Sequence, residues 1–79
     1  MQQKNAGKKY DKKLTLLSRV HVWRAERRIT QEQLAQAIGV TRATIVAIEK
    51  GDYNPSLELA FKISRYFETD LNNVFSVEE

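Results

Sequence analysis

One histidine (His21), no cysteine and carboxylates scattered singly along 79 residues leave no set that could pass a proton, attack a carbonyl or hold a metal. The chemistry available is recognition, and it concentrates between Gln31 and Lys50. At a helical step of about 100° per residue, Ile45, Ile48 and Glu49 gather on one side of a helix beginning at Arg42. Ala43, Val46, Ala47 and Lys50 gather on the other, with Arg42 and Thr44 flanking. A helix buried along one side ordinarily turns polar residues outward. Here the outward side is small and apolar, which is wasteful against water but suits thymine methyl groups in a major groove. Plain helix propensity explains the alanines equally well, and Val46 weakens that explanation only slightly. Arg42 stands in the first turn, where a side chain can grip guanine at two atoms or take a phosphate. Thr44 suits a base or a phosphate.

These residues need a scaffold, and the flanking sequence supplies one. Thr30 can cap a helix, with Gln33 three residues on to close a capping box. Leu34, Ala35 and Ile38 then share one face, and Gly39 offers the left-handed backbone that ends a helix sharply. Thr41 caps the next helix, which stops at Gly51. Ala35 is small where the two helices would cross. Gln31 sits at a helix N-terminus, where free N–H groups favour a phosphate, although capping alone would also account for it.

Upstream, Ser18 to Arg28 reads as a first helix, capped by Ser18, with Val20 and Trp23 inward and His21 at its surface. Downstream, Gly51 to Pro55 is a turn-rich loop in which Tyr53 and Asn54 are uncharged donors. Ser56 caps a fourth helix running to Phe67, with Leu57, Ala60, Phe61, Ile63 and Phe67 as core candidates and Leu59 and Tyr66 at the rim. Asp70 can cap a fifth, short helix through Leu71, Val74 and Phe75.

The net charge of +3 is unevenly divided. Residues 1–50 hold eleven Lys/Arg against four Asp/Glu, a balance of +7, while residues 51–79 carry −4. Excess positive charge beside the helix at Arg42 is what a phosphate backbone rewards, although a solubilising surface has the same signature. Residues 1–13 carry five lysines and too little apolar surface to fold alone. They read as a solvated tail, an appended expression tag or a basic arm settling on DNA. Leu14, Leu16 and Leu17 either extend the first helix, add a short strand or pack across a dimer. We therefore expect a basic, partly disordered arm over 1–17 and one domain over 18–79. No apolar run approaches the roughly 20 residues of a membrane span, and no signal core follows the lysines, so the expected location is the cytoplasm.

The set Gln31, Leu34, Ala35, Gly39, Val40, Ile45, Ile48, Glu49 and Gly51, in this order, resembles the helix-turn-helix of the Cro/repressor-type (Xre-like) family of bacterial and phage regulators. The likeness runs from about Arg19 to Phe75 and includes Asn54-Pro55-Ser56-Leu57. It implies an all-α, compact five-helix, lambda-repressor-like domain that is not an enzyme and needs no cofactor or metal. The implied partner is double-stranded DNA, bound by a homodimer on a two-fold operator as a sequence-specific regulator, most simply a repressor. By this resemblance Arg42, Ala43, Val46 and Ala47 face the bases. Gln31, Arg24, Thr44, Lys50, Tyr53 and Asn54 lie along the DNA backbone. Arg24 would pair with Glu49, clamping the first helix to the third. Leu71, Val74, Phe75 and Val77 would form the two-fold contact or else close the core from below. Antitoxins and restriction-modification controllers share this fold and size, so a cognate toxin or operon partner fits the same pattern, as does an adaptor for protein or RNA. Family members often carry glutamine where this chain has Arg42, Ala43 or Ala47, so the operator sequence does not carry over.

Overall fold

The structure is a computed structural model and describes residues 14–78. In chain order its elements are strand β1 (Thr15–Ser18), helices α1 (Val20–Arg27), α2 (Gln31–Ile38), α3 (Arg42–Lys50), α4 (Leu57–Tyr66) and α5 (Leu71–Val74), and strand β2 (Phe75–Glu78). The helix boundaries follow local chemistry. Thr30 Oγ1 accepts the Gln33 backbone N–H at 3.0 Å while the Gln33 side chain accepts the Thr30 N–H at 2.8 Å, completing the capping box that starts α2. Gly39, at φ 92°, ends it. Thr41 starts α3 by accepting the Thr44 N–H at 3.3 Å, and Ser56 starts α4 by accepting the Leu59 N–H at 3.1 Å. Asp70 occupies the cap position of α5, but its side chain makes no capping bond, contrary to the expectation.

Five helices surround one core, and a two-stranded antiparallel sheet joins the ends of the described chain. Thr15 pairs with Glu78, Leu16 with Val77, Leu17 with Ser76 and Ser18 with Phe75. The all-α expectation is thereby corrected: the fold is mostly helical but carries this sheet. The strand also brings residues 15–17 into the folded body instead of leaving them in an arm ending at residue 17. Residues 1–13, which make up most of the expected arm, lie outside the described residues. Ser18 ends β1, and Arg19 is the residue preceding α1, although Ser18 Oγ still accepts the Val20 N–H at 3.2 Å.

Leu34, Ile45, Ile48, Ile63, Phe67 and Val74 are fully buried at the centre. Trp23 packs its ring 5.9 Å from that of Phe67 and donates Nε1–H to the Asn73 carbonyl at 3.0 Å, tying α1 to α5. The inward face of α4 is Leu59, Ala60, Ile63 and Ser64, followed by Phe67. Leu57 and Phe61, expected in the core, are instead 67% and 46% exposed. The helix is rotated so that Ser64 points inward, which is affordable because its hydroxyl donates to the Ala60 carbonyl at 2.9 Å. Leu57 and Phe61 fall at the rim of that arc.

Candidate nucleic-acid interface

The turn between α2 and α3 sets the angle at which α3 is presented. The Ala35 carbonyl accepts the N–H groups of Gly39 and Val40 at 2.8 and 3.0 Å, satisfying the end of α2 and reversing the chain within four residues. Leu34 and Ala35 from α2 are buried with Ile45 and Ile48 from α3. Ala35 contributes no more than a methyl at this seam, so two backbones can approach closely. At the far end, Gly51 adopts φ 84°, and its N–H, with that of Asp52, closes onto the last carbonyls of α3.

A polar clamp holds α3 to α1 and α2. Arg24 donates Nε–H to Glu49 Oε2 at 2.7 Å and Nη2–H to Oε1 at 3.1 Å, a two-pronged pair. The third guanidinium nitrogen, Nη1, donates to the Ile29 carbonyl at 3.0 Å. Gln31 Nε2 donates to Glu49 Oε1 at 3.0 Å, so one carboxylate anchors side chains from both preceding helices. The Arg24 and Glu49 side chains are 18% and 9% exposed, which screens the pair only partly. The bond to Glu49 raises the Arg24 pKa, more than offsetting the opposing effect of burial.

Around this clamp the expected contact residues take definite places. Arg42 and Ala43 are exposed at the start of α3, Val46 and Ala47 are half-buried along it, and Lys50 is exposed at its end. Thr44 is half-buried, with its hydroxyl 3.1 Å from that of Thr41. Tyr53 and Asn54 are exposed on the following loop. Arg24, Gln31 and Arg42 line one open groove of about 560 Å³ at the N-terminal ends of α2 and α3. Arg28 lines it too, although the sequence reading passed it over. Its signal was weak in advance, because an arginine at the end of an amphipathic helix reads as ordinary surface charge.

The expected two-fold contact divides. Val74 and Phe75 are 0% and 6% exposed, so they face the protomer's own core and have almost no surface to offer a second chain. That part of the expectation is corrected. Leu71 and Val77 keep access to solvent and line an apolar groove of about 420 Å³ with Leu16, Leu57 and Ala60. Nearer α3, Leu14 and Thr15 line a separate hollow with Gly51, Asp52 and Asn54. Among the described residues no cluster of three or more His, Asp or Glu side chains could hold a metal, and no helix is long and apolar enough to cross a membrane.

Comparison with known proteins agrees with the helix-turn-helix fold. A helix-turn-helix family model matches residues 21–73. An uncharacterized HTH-type transcriptional regulator of Methanocaldococcus jannaschii is 47% identical over 62 residues, covering 78% of this chain and 94% of that protein. One from Bacillus subtilis is 48% identical over 62 residues, with the same coverage of 78% and 94%. The transcriptional repressor RstR of the cryptic phage CTXphi, from Vibrio cholerae, is 34% identical over 62 residues, 78% of this chain and 56% of that protein. The crystal structure of a Bacteroides fragilis protein with a provisional DNA-binding assignment superposes with a TM-score of 0.70 at 26% identity, covering 77% of this chain and 98% of that one.

Proposed function

This chain belongs to the helix-turn-helix family of Xre/Cro-like transcriptional regulators, DNA-binding proteins that are not enzymes, and on that footing we propose that it acts as a homodimeric repressor on a two-fold operator. In this reading α3 lies in the major groove. Arg42 reads guanine, and Ala43, Val46 and Ala47 meet thymine methyls or close over the bases. Gln31, Arg24, Thr44, Lys50, Tyr53 and Asn54 track the phosphates on either side. The observation that carries the reading is the shared groove of Arg24, Gln31 and Arg42 beside an outer face of α3 bearing Ala43 and Lys50. Glu49 supports it by holding Gln31 in place and engaging Arg24.

Two copies arranged about a two-fold axis would set their α3 helices about 34 Å apart, one turn of B-DNA. Leu71 and Val77, at the apolar groove, are the remaining surface candidates for that contact. Repression is the regulatory sense named for the Vibrio cholerae relative. Selection of bound sites from random duplex DNA tests the proposal. The expected outcome is an inverted repeat with half-sites about 10 base pairs apart, centre to centre. Enrichment of a single, unrepeated half-site would overturn the dimer, and no enrichment would overturn sequence-specific binding.

A further inference from the structure

The αL region is where glycine normally sits, because a Cβ there crowds the following carbonyl. Two non-glycine residues among the described ones adopt it: Arg28 at φ 57° and Glu68 at φ 59°. Glu68 follows α4, where its N–H and that of Thr69 bond to the Arg65 and Ser64 carbonyls at 3.0 Å, and its carboxylate reaches Arg27 Nη2 at 3.6 Å. The Arg28 side chain makes no hydrogen bond or ion pair among the described residues. The backbone angle itself ends α1, with the N–H groups of Arg28 and Ile29 closing onto the Ala25 and Arg24 carbonyls at 3.1 Å, so the turn serves the fold while the side chain is left to act outside it.

Its surroundings say which function. Arg28 lines the same groove as Arg24, Gln31 and Arg42. Within that groove the Arg24 charge is already met by Glu49, and Gln31 is tied to the same carboxylate. Arg28 and Arg42 are exposed and unpaired among the described residues, facing one carboxylate on the wall, Glu32, whose oxygen accepts from Gln36 at 3.0 Å. The groove thus presents two uncommitted guanidinium groups from two different elements, one after α1 and one at the start of α3. A planar guanidinium matches a phosphate in a two-pronged fashion.

We propose that Arg28 is a DNA phosphate-binding residue, taking a backbone phosphate at the outer wall of the groove it shares with Arg42. The assignment rests on the DNA-binding reading above and adds a residue to it. The left-handed turn at Arg28 closes α1 and leaves the side chain exposed on the groove beside α2 and α3.

Arg28→Gly separates stability from binding. Glycine suits the left-handed backbone, so the variant melts at a higher temperature than the wild type. It loses one phosphate contact, so the slope of log affinity against log salt falls in magnitude by about 0.9. The test is a titration of a 30-base-pair random-sequence duplex between 50 and 200 mM salt. The wild-type advantage over Arg28→Gly should narrow about 3.5-fold across that range, the change expected of a single phosphate contact. Arg28→Lys keeps the charge and should keep the slope. A wild-type slope in a folded Arg28→Gly overturns this assignment alone. A wild-type chain that shows no salt-dependent binding to duplex overturns both the DNA-binding reading and this one.

Discussion

Replacing Glu49 with alanine removes one acceptor group and three hydrogen bonds: from Arg24 Nε at 2.7 Å, from Arg24 Nη2 at 3.1 Å and from Gln31 Nε2 at 3.0 Å. Arg24 would keep only its bond to the Ile29 carbonyl. Exposed ion pairs contribute at most about 1 kcal/mol, whereas orphaning one partner of a buried pair costs about 3–5 kcal/mol. With side chains 18% and 9% exposed, this pair lies between those limits and nearer the buried one. The expected loss is about 2–3 kcal/mol, which for a domain of this size lowers the melting temperature by roughly 8–24 °C. Urea and thermal unfolding followed by circular dichroism measure it, with Arg24→Ala and the double variant completing a cycle. The coupling should exceed about 1 kcal/mol. Arg24→Lys, which keeps the charge but not the fork, should recover less than half of the Arg24→Ala loss. A Glu49→Ala variant as stable as the wild type, or a coupling near zero, would refute the clamp. The arginine's half of the pair has no accessible pH window. Its pKa is raised in the folded state, so its contribution is fully present below the unfolded arginine's pKa and is lost only as pH climbs through the folded value, in strong alkali.

Three further outcomes follow from the same geometry. Arg42→Ala should relax preference at one base position at a cost of about 1–3 kcal/mol, while Lys50→Ala should weaken all sequences alike; competition against randomised duplexes distinguishes them, and equal losses on every sequence would make Arg42 a phosphate contact. Gly39→Ala should cost about 1–2 kcal/mol by urea unfolding, since a Cβ there meets no heavy atom within 4 Å and only the backbone at φ 92° resists it. Val77→Asp should give a folded monomer by sedimentation, because Val77 is half-exposed. Phe75→Asp should unfold the chain instead, and a dimer that survives Val77→Asp would move the two-fold contact elsewhere.

The helix-turn-helix was legible because its signals are local. Thr30 with Gln33, Gly39, Thr41 and Gly51 each act within four residues of themselves, and the structure uses every one of them. The Arg24–Glu49 bond was a different matter: the two are 25 positions apart, and only the family resemblance brought them together. A short strand was one of three readings of Leu14, Leu16 and Leu17, and the structure takes it, but Leu14–Leu17 has no alternating pattern strong enough to single it out. Its partner lies some sixty residues away, and residues before the first helix offered no turn to connect them. The misplaced faces of α4 have a related cause. Leu57 and Phe61 looked like core residues by type, but a serine that satisfies its own hydroxyl could take the inward place. Arg28 was invisible for a third reason: its oddity is a backbone angle, and side-chain type carries no record of φ.

The β1–β2 pairing turns the chain into a closed belt, its buckle fastened Thr15 to Glu78. Paired strands lie about 4.8 Å apart, so a fluorophore, affinity handle or tether attached at Thr15 starts beside one attached at Glu78. Both attachments also begin close to the hollow shared with Gly51 and Asn54, immediately past the end of α3. Immobilising the protein through either strand end therefore fixes the whereabouts of the other and crowds the same corner of the protein.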